Sequence, residues 1–269
     1  MSEKLHQLLD KALAVPPVLN WRMKRHDAAF SQGHYGGTCR GVYKSYREAA
    51  DAAPKTLPLG YDHEGPAAMY RDRLGQVFPS DFAMMLWLER AFADGATRVF
   101  DLGGHVGVGY YAYQRYLKYP DTLNWRVFEV PAVIKAGREI ALERDSRRAL
   151  TFVDQFELAG AADILFTSGC LQYLEESLAA KLVTLPHRPR WLLVNLLPLH
   201  DELEYWTVQS IGTAFCPYRI QCKSTFFSEL ERLGYEVLDV WENPEKRCEV
   251  AFAPEHSLDR YFGAALKLR

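Results

Sequence analysis

One stretch constrains this chain more than any other: Val99-Phe100-Asp101-Leu102-Gly103-Gly104-His105-Val106-Gly107-Val108-Gly109. An apolar, β-branched run ends in an acid. A glycine-rich turn follows, and then an aromatic-studded segment, Tyr110 to Tyr119, that reads as a helix. Strand, tight turn and helix form the opening unit of a nucleotide-binding α/β domain. A dinucleotide site requires Gly-x-Gly-x-x-Gly, so that backbone amides and a helix N-terminus can cradle a pyrophosphate. This loop has a different spacing, Asp-x-Gly-x-His-x-Gly. Its glycines let the backbone approach a ligand, and its acid suits an amino group rather than a phosphate.

The rest of the chain continues the alternation. Strands are predicted at Arg98 to Leu102, Trp125 to Glu129, Leu150 to Val153, Asp163 to Thr167 and Trp191 to Asn195. Helices are predicted near 107–118, 131–144, 174–184 and 224–233. Pro131 sits in the first turn of its helix, where a missing N–H costs nothing. The run Trp-Leu-Leu-Val at 191–194 suits a strand buried on both faces. Two last strands, Tyr235 to Trp241 and Arg247 to Phe252, are expected to form an antiparallel hairpin. A helix near 80–93 precedes the first strand, capped by Ser80 or Asp81 and burying Phe82, Met85, Leu86 and Leu88. These units predict a mostly parallel sheet with helices on both faces. Residues 1–80 are rich in turn formers and read as a helical or irregular extension or cap, with short helices near 3–14 and 45–52. Residues 81–269 form the main domain. In the extension, the glycines and aromatics from Tyr35 to Tyr46 either close over a site or simply pack on that domain.

Bulk properties exclude several classes. With 25% charged residues and a net charge of −2, the chain has no basic field to hold nucleic acid. Its apolar runs fall short of the ~20 residues a membrane span needs. The five cysteines are scattered and form no Cys-x-x-Cys pair, so neither a zinc site nor a disulfide framework is indicated. The N-terminus is too polar for a signal peptide. A reducing cytoplasm is the expected location.

Ligands of open α/β sheets sit beyond the carboxyl ends of the strands. That rule selects residues 101–107, 129–130, 154–156, 167–173 and 195–201. Asp101 can accept from an ammonium, while Gly103 and Gly107 let a ligand approach the chain. Glu129 ends the second strand, where a carboxylate can accept both hydroxyls of a ribose, with Val130 lining a base. Asp154 or its neighbour Gln155 could bind an exocyclic amino group, and Phe156 could cover the ring. Ser168 and Gly169 would lie against the amino-acid end of a ligand. Gln172 and Tyr173 face an acceptor or belong to the core. Cys170 suits a buried filler better than a nucleophile. His105 could act as a general base near neutral pH, or be a tolerated loop residue. His200, in the run His200 to Glu204, is a candidate to deprotonate an acceptor hydroxyl, against the alternative of a solvated loop.

The segments VFDLGGHVGVGYYAYQRYL, WRVFEVPAV, DILFTSGCLQYLEE and FFSELERLGYEVLDVWENP together resemble a family of class I S-adenosylmethionine-dependent methyltransferases, often encoded among bacterial surface-polysaccharide genes. GVYKSYREAADAA is similar to that family's N-terminal segment. The resemblance covers roughly residues 40–245. It implies a seven-stranded sheet of Rossmann type and S-adenosylmethionine as methyl donor. By motif it carries cofactor contacts onto Asp101, Gly103, Gly104, Gly107 and Glu129, and onto Ser168 and Gly169. Two positions depart from the pattern. His105 replaces a small residue, and Leu197 precedes Pro198 where relatives carry a basic residue. The expected function is methyl transfer to the oxygen or nitrogen of a small-molecule or sugar acceptor, by a monomer or homodimer. A nicotinamide-dependent oxidoreductase and a non-catalytic, cofactor-binding scaffold are the alternatives.

Overall fold

The computed structural model describes residues 15–62 and 74–269. The helix expected near 3–14 lies outside them. Seven strands build the main sheet: β2 (Arg98–Leu102), β3 (Asn124–Phe128), β4 (Leu150–Val153), β5 (Ile164–Ser168), β6 (Trp191–Leu197), β10 (Tyr235–Asn243) and β12 (Tyr261–Leu268). Their order is β10-β12-β6-β5-β2-β3-β4. β12 runs against both of its neighbours, and the other adjacent pairs are parallel. From β2 the chain proceeds outward through β3 and β4, then returns to the other side of β2 as β5 and β6. The switch point therefore lies between β2 and β5, which places a ligand site beyond their carboxyl ends.

The expected α/β sheet with a C-terminal antiparallel hairpin is present. The second strand of that hairpin is not Arg247 to Phe252, however. β10 pairs with β12, and the stretch 247–252 contributes only β11 (Val250–Ala251), which joins a different sheet. β12 was hidden because its sequence, YFGAALKL, contains Gly and Ala, which are depleted in strands. Packing explains those small residues. A Cβ on Gly263 would lie 2.2 Å from Cε2 of Trp241 on the neighbouring strand, so the indole takes the space of a side chain.

A second sheet has the order β11-β1-β8-β9-β7, with β1 (Cys39–Tyr43), β7 (Leu199–His200), β8 (Tyr205–Ser210) and β9 (Phe215–Cys222). It combines one strand of the N-terminal region with the insertion after β6 and a piece of the β10–β12 connection. Its strands are covered on both sides. On one face Trp206, Val208 and Phe215 pack on Phe30 of α1 (Pro16–Phe30) and Ala49 of α2 (Tyr46–Ala52). On the other, Tyr205, Tyr218 and Ile220 meet Tyr173, Leu196 and Tyr261 at the carboxyl edge of the main sheet.

The helix α3 (Asp81–Ala93) buries Met84, Met85, Trp87, Leu88 and Ala91, whereas Phe82 and Leu86 are exposed. Those two sit one turn apart on the face away from the sheet. α4 (Val108–Tyr113) is short and buries three consecutive-face tyrosines, Tyr110, Tyr111 and Tyr113. Their rings pack with Tyr119, Trp125 and Phe166, and two of the hydroxyls anchor neighbouring elements: Tyr110 donates to Asp145 and Tyr113 to Asp81. α5 (Pro131–Arg144), α6 (Leu178–Val183) and α7 (Lys223–Arg232) complete the layers. Gly263→Ala is expected to lower stability by about 1–3 kcal/mol through overpacking against Trp241, measured by equilibrium denaturation.

Candidate functional site

The loop from Gly103 to Gly107 leaves β2 at the switch point. Its path is fixed by close approaches that only glycine permits. Gly103 has φ +73°, and a Cβ there would lie 2.3 Å from Cys170 Sγ. A Cβ on Gly104 would lie 2.2 Å from Asp101 Oδ2. Gly107, at φ +89°, opens α4. The loop is also stitched to β3: Gly103 N–H donates to Phe128 O at 3.0 Å.

Asp101 lies directly beneath this loop, 1% exposed. Trp125 Nε1 donates to its Oδ2 at 2.9 Å, and its Oδ1 has no hydrogen-bond partner among the described residues. Burial pushes its carboxyl up to about 7, against the lowering effect of the indole N–H; the nearby Glu129 charge adds to the rise. An orphaned, buried carboxylate oxygen beside a side-chain-free loop suits a cationic donor such as an ammonium.

Glu129 follows β3. Its Oε1 accepts from His105 N–H at 3.1 Å and its Oε2 from Val130 N–H at 3.0 Å. Each oxygen keeps a further lone pair, so a carboxylate held this way can still accept two hydroxyls. Burial raises this carboxyl above the usual range, while the two backbone bonds act in the opposite direction. The grip on its N–H holds His105 in a left-handed conformation, φ 55°, uncommon for a residue other than glycine. The His105 side chain is buried.

The remaining expected residues divide into two groups. Val130 borders α5, and Asp154 and Gln155 are exposed beyond β4. Ser168 ends β5 and Gly169 follows it. Gly169 N–H donates to Asn195 O, and Asn195 Nδ2 reaches Ser168 Oγ at 3.4 Å. Phe156 is packed edge-on to Phe100 and Phe128 in the core beneath the sheet's end. Tyr173 donates its hydroxyl to Gln209 Oε1 of β8 at 2.7 Å, and burial raises its hydroxyl well above the ordinary tyrosine value. It is therefore a fixed donor and has no tendency to lose its proton. His200 is engaged at both ring nitrogens. Nδ1 accepts from Glu202 N–H at 3.0 Å and Leu203 N–H at 2.9 Å, and Nε2 faces Glu255 O at 3.2 Å. This pattern selects the neutral tautomer with hydrogen on Nε2 and leaves no lone pair for a substrate proton.

Sequence reasoning passed over two residues that organise the site, Trp125 and Asn195. Trp125 was read only as the start of a strand. Cys170, expected as a buried filler, fills the space above Gly103. Asn195 is fully buried and links four elements: it donates to Ser80 O and Ser168 Oγ, and accepts from Trp241 Nε1 and Asn243 Nδ2. A lone amide closing the apolar run Trp-Leu-Leu-Val was the available signal.

Comparison with known protein families and with curated proteins finds no match. Comparison with solved structures finds likeness of fold. The [4+2]-cyclase SpnF matches with a TM-score of 0.52 at 13% identity, over 86% of this chain and 98% of its own. The N-terminal domain of EvdMO1 with SAH bound matches at 0.47 and 17%, over 83% and 95%. Mitomycin 7-O-methyltransferase MmcR matches at 0.41 and 16%, over 70% of this chain and 55% of its own length. Among the described residues no helix is long and apolar enough to cross a membrane, and no cluster of metal-ligating side chains occurs.

The raised Asp101 carboxyl has a defined effect on stability. Its folded value, about 7, exceeds its ordinary 3.8, so between those values the native state holds a proton that the unfolded chain has lost. Stability contributed by the neutral form is present at low pH and lost as pH rises towards 7. Asp101→Asn, which keeps an acceptor for Trp125, is expected to be more stable than wild type at pH 8 by roughly 1–4 kcal/mol. The gain should vanish towards pH 4, as read by denaturation across pH. His200→Ala should cost about 1–3 kcal/mol by leaving turn N–H groups unpaired.

Proposed function

We propose that this chain binds S-adenosylmethionine beyond the carboxyl ends of β2, β3 and β5 and transfers its methyl group to a small-molecule or glycan acceptor. One observation carries the reading: a buried carboxylate with one unpaired oxygen, Asp101, lies under a glycine loop whose next strand ends in Glu129, itself braced by two backbone N–H groups. Asp101 would receive the ammonium. Glu129 would accept the ribose hydroxyls, with Val130 along the adenine and Asp154 or Gln155 at its amino group. Gly103, Gly104 and Gly107 would give backbone contact, and Ser168 and Gly169 would flank the methionyl end. The bound sulfonium supplies an activated methyl group, so the protein's own task is placement. Two carboxylates at the loop disfavour a pyrophosphate, which argues against a nicotinamide-dependent oxidoreductase.

Proton removal falls to few groups. Tyr173 is a committed donor and His200 has both nitrogens engaged. His105, on the loop itself, is the remaining candidate among the three. An acceptor nitrogen, or a hydroxyl acidic enough to ionise unaided, would need no base. With His200 engaged and His105 the one expected base left, a second reading also stands, in which the chain binds the cofactor without transferring methyl. The five cysteines are free, which fits a reducing compartment such as the cytoplasm.

Calorimetric titration with S-adenosylhomocysteine tests the proposal. Binding is expected, with heats that depend on the buffer below pH 7, because an ammonium beside Asp101 displaces its proton. Gly103→Val should abolish binding, and Glu129→Ala should weaken it at least about tenfold, the loss of one charged hydrogen-bonding group. Binding of NAD⁺ in place of S-adenosylhomocysteine would refute the assignment. Release of S-adenosylhomocysteine from S-adenosylmethionine with added acceptors separates transfer from cofactor binding alone.

A further inference from the structure

The two faces of the main sheet are covered unequally. Between β3 and β4 the chain crosses as α5, whose Val133, Ile134 and Ile140 join the core that holds Trp125 and Val127. Between β4 and β5 it crosses the other face as a 3₁₀ turn, Phe156–Ala161, whose Phe156 packs on Phe100. Six residues of 3₁₀ helix span roughly 12 Å, whereas the five-residue strands beneath span roughly 17 Å. The turn therefore leaves part of that face bare. A cavity of about 350 Å³ lies there, over the amino-terminal halves of β2 and β3. It is at the opposite end of β2 from the glycine turn.

Polar groups gather on this face. Arg98 and Phe100 alternate onto one side of β2, and their register partners Asn124 and Arg126 stand on the same side of β3. Thr97 and Thr122 also line the cavity. An inner parallel strand is usually apolar on both faces; β3 keeps to that rule on the side of Trp125 and Val127 and breaks it at Asn124 and Arg126. The lining holds two guanidinium groups and no carboxylate. Arg98 directs Nε and Nη2 to Asp163, at 3.2 and 2.5 Å, which leaves Nη1 to spare. Arg126 is half-buried and pairs with no carboxylate among the described residues. Of the acids adjoining the lining in sequence, Asp163 is taken by Arg98, and Asp121 and Glu157 are exposed. The cavity thus presents one uncompensated cation, Arg126, ringed by further donors.

We propose that this cavity binds the phosphate group of a phosphorylated small molecule, with Arg126 as its main anchor and Arg98, Thr97, Thr122 and Asn124 as supporting donors. A guanidinium fork matches two oxygens of a phosphate or a carboxylate equally well. A phosphate has a third terminal oxygen for the hydroxyl and amide donors, and a carboxylate does not. The volume lies within the range of small-molecule pockets, about 300–1,000 Å³. Leu158 and Ala162 give the cavity an apolar wall for the organic part of the ligand. The site is on the other face of the sheet from Asp101, so it stands independently of the cofactor reading.

Calorimetric titration of the full chain tests it, in phosphate-free buffer at constant ionic strength, with phenyl phosphate, inorganic phosphate and benzoate as probes. Phenyl phosphate should bind saturably, at least about tenfold more tightly than benzoate and more tightly than inorganic phosphate. Arg126→Gln should weaken it at least about tenfold without lowering the melting temperature, since the side chain it replaces has no partner to lose. Arg126→Lys, which keeps the charge and loses the fork, should fall between that variant and wild type. Excess S-adenosylhomocysteine should not displace the probe. Absence of saturable binding overturns the proposal, as does undiminished binding by a folded Arg126→Gln. Benzoate binding as tightly as phenyl phosphate overturns the assigned group, and inorganic phosphate binding more tightly than the ester overturns the organic ligand. Displacement by S-adenosylhomocysteine would put the probe at the glycine turn and overturn the location.

Discussion

The carboxylate of Asp101 is withdrawn from water beneath its own loop, and much of the local architecture follows from accommodating it. An uncompensated buried charge costs several kcal/mol. Trp125 supplies a single N–H, and Gly104 supplies the space, because any side chain there would collide with the carboxyl group. The indole must then stand on β3 with its ring flat in the core, where Tyr110, Tyr119 and Phe166 surround it. Those aromatics in turn fix α4 and the segment after it. A constraint on one acid thus extends through the side of the sheet that carries the first helix.

A second constraint comes from the way the covering sheet is assembled. β1 pairs with β8 on one side and β11 on the other, so three distant stretches of chain complete one layer. Both faces are occupied, one by the N-terminal helices and one by the carboxyl edge of the main sheet. The result encloses the loop after β5 between two sheets. Tyr173 is the tie, with its hydroxyl on β8 and its backbone on the main domain. His200 plays a comparable part at the start of the insertion, where its ring organises the turn into β8 and reaches the connection before β12.

Much of this was legible in the sequence, for physical reasons that differ by element. β2, β4 and α5 lie within the ranges that hydrophobic runs and a first-turn proline indicated, since those signals are local. Asp101, Gly103 and Glu129 could be singled out because a sheet edge and a glycine turn impose fixed spacing. The second sheet was not found. β8, YWTVQS, is buried at every position, so its polar residues give no alternation to read, and its partners lie far away in sequence. β12 was missed because its glycine and alanines answer to Trp241, a residue on another strand. The choice at His200 between a base and a loop residue was left open for a related reason. A histidine past a strand end reads as available, and only the turn that follows shows its nitrogens taken.

The placement of unpaired polar atoms links stability to use. A domain is stable by only about 5–15 kcal/mol, and each buried orphan removes roughly 1–3 kcal/mol of that. Asp101 Oδ1 lies at the start of the loop system, under the glycine turn. The Asn195 network can carry such losses because it saturates its own groups. Asn195 alone donates twice and accepts twice. The anionic oxygen of Asp101, left unpaired at the glycine turn, favours a cation there.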